Sequence, residues 1–246
     1  SRKIDDLQHN YPVANFIIFA EAVRKREKSE ILKAFGRHKK NFPEIFKIVT
    51  EFWILIIDKK KDEAFRLINS ISINNEAQLQ IINYNQLLAY VYFNEYEQAK
   101  TLYENMEFSN FLFDSESALA LVQYFQQNKE SEVSESIISK ARSASNNAYY
   151  IQAFKNKLSN GGVSDAIRIT PYKQIAEVFF RWSQSSQRGA ENIINKSFYL
   201  SLANFADPTS SFLKFNLATI LNDSGNYELS RDCLLYTSDA ADESDR

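Results

Sequence analysis

Apolar residues recur along this chain three or four apart, and short polar clusters interrupt them at near-regular intervals. Val13, Phe16, Ile17, Ala20 and Val23 follow Pro12 at helical spacing, so a helix opens on that proline with Asn10 upstream as its cap. Charge from Arg24 to Lys28 interrupts the stripe, and Ser29 to Lys33 with Leu32, Phe35 and Gly36 supplies a shorter return helix. Pro43 restarts the pattern as a first-turn proline, with Phe46, Val49, Phe52 or Trp53, and Ile56 on one side. Lys59-Lys60-Lys61 closes that helix, and Asp62 to Ser70 returns with Ala64, Leu67 and Ile68 inward. A third pair runs from Ile81 to Phe93, turns at Asn94-Glu95-Tyr96, and comes back from Glu97 to Met106. In a fourth, Asp114 or Ser115 caps a helix bearing Ala118, Leu119, Val122 and Phe125, with a turn at Asn128-Lys129 and Val133, Ile137 and Ile138 returning.

The turns share a period. Arg26, Lys60, Asn94, Asn128 and Gly162 lie 34 residues apart, the length of a helix–turn–helix repeat, and chance rarely keeps one register through five turns. Beyond Gly161-Gly162 the register breaks at a polar, β-branched link, Val163 to Thr170. Thr170-Pro171 then opens a helix through Ile175, Val178, Phe179 and Trp182, Gly189 marks its turn, and Ile193 to Phe205 returns. After Asp207-Pro208-Thr209, Ser210 or Ser211 caps Phe212 to Asn222, a Ser-Gly-Asn turn follows, and another helix opens at Tyr227. Composition agrees with helices, since five glycines and four prolines in 246 residues are too few for the many turns of an all-β fold.

At Leu217, Ala218, Gly225 and Tyr227 the residues resemble the tetratricopeptide repeat: Leu then a small residue in the first helix, Gly then an aromatic at the turn. Asn94 to Ala99 is similar, ending on a small residue of the second helix, and Ala89 is a further small residue where helices can approach closely. Lys59, Lys60 and Asn128 stand where glycine is usual, and the 163 to 170 link has no counterpart in a regular array. The resemblance spans about six hairpins over residues 12 to 232 and is closest to the divergent bacterial members of the family. It implies an all-α, right-handed superhelical solenoid of antiparallel helix pairs, with hairpins over residues 1 to 162 and a second group over 163 to 232. It also implies a scaffold that binds a protein, as a peptide or helix, in the concave groove lined by the first helices. On the family's phase, Arg24, Asn85, Tyr92 and Asn222 face that groove, where Asn bonds an extended backbone, Tyr adds area and Arg forks onto a carboxylate.

Charge alters this picture little. The formal net charge is −2, yet residues 1 to 61 hold 14 of the 29 Lys and Arg against 8 of the 31 Asp and Glu. This basic surplus lies in turns between apolar stretches, as solvated charge does, and argues against nucleic acid as the ligand. An RNA or anionic-lipid role for the basic third, and a purely structural role, stand as rivals. No run of about 18 uncharged apolar residues occurs, so a soluble chain is expected. The chain begins at Ser1 with no signal-peptide pattern, which leaves its compartment open between bacterial cytoplasm and periplasm.

Residues 233 to 246 fit nothing before them. CLLYTSDAADE, from Cys233 to Glu243, resembles the translation of a sequencing adapter, which would make this stretch a non-native tail on a metagenomic fragment. Without those residues the formal charge becomes +1 and no cysteine is left.

No catalytic set emerges. His9 and His38 are 29 residues apart, and neither has an acid or second His three or four residues after it, so zinc binding and His-based catalysis lack partners there. Gly161-Gly162 lacks the strand and Lys-Ser/Thr of a phosphate loop, and Asp62-Glu63 reads as helix-start charge. Trp53 and Trp182 read as core. No enzyme, metal or cofactor is expected of these residues, although the repeats could belong to a longer glycosyltransferase or sulfotransferase whose catalytic domain lies elsewhere.

Overall fold

A computed structural model describes residues 12–72, 75–106, 116–144, 168–185 and 190–234, and these are helical with no strand among them. The helices are α1 (Pro12–Lys25), α2 (Lys28–His38), α3 (Glu44–Ile57), α4 (Lys61–Asn69), α5 (Glu76–Tyr92), α6 (Tyr96–Glu104), α7 (Glu116–Gln127), α8 (Ser131–Ala144), α9 (Pro171–Ser185), α10 (Ala190–Ala206), α11 (Ser211–Asp223) and α12 (227–234), with a 3₁₀ turn at Lys39–Asn41. The all-α expectation therefore holds for the described residues. Asn10, Asp114, Ser115, Gly161-Gly162, the 162–163 boundary, Gly189 and the tail from residue 235 lie outside them, as does His9.

Local chemistry explains most of the helix ends. Ser210, rather than Ser211, caps α11, its Oγ accepting from the Leu213 amide at 3.2 Å. Pro43 is the cap residue of α3 in extended conformation, one position earlier than a first-turn proline. Helix α5 starts five residues before the expected Ile81 because Asn75 Oδ1 accepts from the Gln78 amide at 3.1 Å. Its polar opening turn hides the helical stripe that begins only at Ile81.

The helices form two compact units, residues 65–170 and residues 1–64 with 171–246. In the first, α5 packs on α6, α7 on α8, and the outgoing helices α5 and α7 lie side by side. Rings and amides join successive hairpins there. Phe65 stacks on Tyr90 with centroids 4.9 Å apart, Gln86 Nε2 donates to Asn69 Oδ1 at 2.5 Å, and Tyr103 packs on Phe125 at 5.4 Å.

The second unit brings residues from both ends of the chain into one core. Helix α9 packs on α1 and α3, and α10 on α1 as well as on α9 and α11. Phe16 meets Phe42 (5.1 Å) and Trp182 (5.3 Å) edge-on, Phe46 stacks on Trp182 (5.8 Å), and Trp182 lies face to face with Tyr199 (4.1 Å). Phe19 and Phe179 are buried beside them. Each ring pair adds about 0.5–1.5 kcal/mol beyond the area it buries. Residues 16 and 182, far apart in the sequence, thus share one core within this unit. Trp53 is fully buried against Phe52, as a core residue.

Candidate functional site

The surface that these hairpins offer is set by one turn made five times. Arg26, Lys59, Asn94, Lys129 and Gly225 all have positive φ, from 57° to 80°. At each, the amide of that residue donates to the carbonyl three positions back, and the next amide donates to the carbonyl five positions before itself. The pairs run Arg26 to Val23 and Glu27 to Ala22, Lys59 to Ile56 and Lys60 to Leu55, and Asn94 to Val91 and Glu95 to Tyr90. Lys129 to Gln126 with Glu130 to Phe125, and Gly225 to Asn222 with Asn226 to Leu221, complete the set. Two otherwise orphaned carbonyls are thus satisfied at the end of each of these five outgoing helices, and the chain reverses within two or three residues.

Taking the left-handed residue as position zero, position +5 of the return helix faces inward every time. Ile31, Ala64, Ala99 and Ser134 are fully buried there and Ser230 nearly so. The two serines donate across the hairpin, Ser134 Oγ to the Val122 carbonyl at 3.1 Å and Ser230 Oγ to the Ala218 carbonyl at 2.8 Å. Except at Ile31, the side chains at this site are small and let the paired helices approach closely. With +5 fixed inward, position +6 is free to reach the next hairpin, and position −2 of the outgoing helix turns to solvent at Arg24, Tyr92 and Gln127.

The most developed polar cluster built on this register lies between the turns at Asn94 and Lys129. Lys100 Nζ donates to Glu130 Oε1 at 2.6 Å, and the Tyr96 hydroxyl donates to the same oxygen. These hydrogen bonds, from Lys100 first and Tyr96 second, hold the Glu130 carboxyl below its ordinary range. The same contact with Glu130 raises Lys100 and Tyr96 above theirs. Tyr103 Oη adds a bond to Ser136 Oγ at 3.2 Å, and burial raises that phenol. Tyr96 and Glu130 lie 34 residues apart in the sequence, close to the spacing of successive turns. Among the described residues no three His, Cys, Asp or Glu side chains group to hold a metal ion, and no helix is long and apolar enough to cross a membrane.

The four residues assigned to a groove fall in different settings. Arg24 and Asn222 belong to the unit formed by both chain ends, Asn85 and Tyr92 to residues 65–170. Arg24 is half-exposed, forks onto Glu21 at 2.9 to 3.2 Å and lies 5.0 Å over the Phe205 ring. Tyr92 is exposed and packs edge-on against Phe93. Asn85 is 9% exposed and its Nδ2 donates to the Ile81 carbonyl at 2.8 Å, so it lies beneath the surface that Tyr92 presents. Asn222 is exposed at the end of α11, its carbonyl accepting the Gly225 amide. Of the repeat-marking residues, Ala89, Ala99, Leu217 and Ala218 are buried, Gly225 makes the turn, and Tyr227 is exposed.

Compared with family models, curated proteins and solved structures, the chain matches none.

Proposed function

We propose that this chain is a protein-interaction scaffold of tetratricopeptide-like hairpins, a solenoid that takes a peptide or a partner helix along the groove lined by its outgoing helices. One observation carries the reading. A single turn geometry, with the same hydrogen bonds and the same buried +5 position, recurs at five hairpins of otherwise unrelated sequence. Within residues 65–170 this repetition sets the outgoing helices α5 and α7 side by side, and rows of like helices are the architecture that grips extended partners. Tyr92 is the strongest single anchor, an exposed phenol at the end of α5, the outgoing helix that packs on α7.

The test is capture of partners from the source organism by the full chain and by two paired variants, Arg24→Ala with Asn222→Ala and Asn85→Ala with Tyr92→Ala. Because Asn85 also bonds within its helix, Tyr92→Ala is measured alone with helicity checked. Loss of a tyrosine anchor weakens capture by about tenfold or more. Partners retained at wild-type levels by every variant would contradict the groove assignment.

A further inference from the structure

In three successive hairpins the return helix reaches forward to the next hairpin from the same positions in its register. Lys28 at +2 pairs with Asp58 at 2.5 Å, Phe65 at +6 stacks on Tyr90, and Tyr96 at +2 with Lys100 at +6 holds Glu130. A phenol at +2 with a cation at +6 occurs in one other described hairpin, at Tyr227 and Arg231 after Gly225. These two positions lie four apart on one helix face. There the pair is open: Tyr227 is 67% exposed, and the Arg231 side chain is 68% exposed with Asp232 Oδ1 at 3.4 Å, the edge of hydrogen-bond range.

We propose that Tyr227 and Arg231 are a docking clasp for a partner helical hairpin that carries a carboxylate on the residue following its left-handed turn, as Glu130 follows Lys129. The chemistry specifies the occupant. Phenol and cation converge on one carboxylate oxygen in the occupied copy, and that carboxylate belongs to the residue following the left-handed Lys129. Arg231 adds a fork where Lys100 has a point charge, so a carboxylate binds it with two parallel bonds. Tyr227 and Arg231 are distinct from Arg24, Asn85, Tyr92 and Asn222.

The probe is a labelled synthetic peptide of residues 116–144, the hairpin bearing Glu130, titrated into the full chain and followed by fluorescence anisotropy. Saturable binding is expected, weakened about tenfold or more by Tyr227→Ala and by Arg231→Glu, since each removes a charge-assisted hydrogen bond. A Glu130→Lys peptide should bind the Arg231→Glu chain better than it binds wild type. A Lys129→Pro peptide, whose turn residue cannot take positive φ, should bind weakly. Both substituted side chains are exposed, and unchanged urea midpoints verify that the variants fold. Absence of binding, equal binding to the Tyr227 and Arg231 variants, or a Lys129→Pro peptide as good as the parent would overturn the proposal.

Discussion

At Arg26, Lys59, Asn94 and Lys129 a residue with a side chain occupies the left-handed region that glycine fills at position 225. Left-handed backbone costs an L-residue about 1–2 kcal/mol, partly offset because glycine loses more chain entropy on folding. Asn tolerates the conformation best, through its short polar side chain, and the lysines and Arg26 have no such help. Lys129→Gly is therefore expected to stabilise residues 65–170 by about 0.5–1 kcal/mol. Gly225→Ala is expected to destabilise its unit by about 1 kcal/mol. A Cβ at position 225 would meet no atom within 4 Å, so that loss is conformational rather than steric. Urea denaturation of the two variants checks the opposite signs, and a shift of the same sign in both would contradict the assignment.

At the scale of elements, hairpins are held to one another by a few positions of fixed register, and Glu130 is the clearest of them. Its folded-state carboxyl sits below the ordinary range, so the stabilisation it gives is present above that range and is lost as pH falls through the folded value. The difference in unfolding free energy between wild type and Glu130→Gln should be largest near about pH 7 and shrink toward about pH 3. A denaturation series across that interval checks this, and a constant difference would show that Glu130 acts without its charge. The helical hairpins and turn regions were legible from apolar spacing because each is a local pattern. Turn residues were legible only to within one position: the left-handed sites are Lys59 and Lys129, not Lys60 and Asn128, and the spacings are 33, 35 and 35 rather than a strict 34. Adjacent lysines, or Asn beside Lys, carry no signal that separates the two choices. The Glu130 clasp escaped notice because its members are each ordinary surface residues until two turns are laid side by side.

At the scale of the molecule, the chain leaves one compact unit after residue 64 and returns to it at Pro171. Nothing local in Phe16 or Trp182 announces that they touch, since amphipathic spacing names the inward face of a helix but not the helix it faces. Aromatic residues, 14% of the chain as Phe, Trp and Tyr, supply the contacts that join the two ends. Both tryptophans, Trp53 and Trp182, lie in this unit, so intrinsic tryptophan fluorescence follows its unfolding alone. The measurement that tests this shared core most directly is a double-mutant cycle between Phe16→Leu and Trp182→Leu, read by circular dichroism in urea because one variant removes a fluorophore. Rings 5.3 Å apart and edge-on should show a coupling of about 0.5–1.5 kcal/mol. Losses that add within about 0.3 kcal/mol, as for distant sites, would contradict a core built from both ends of the chain.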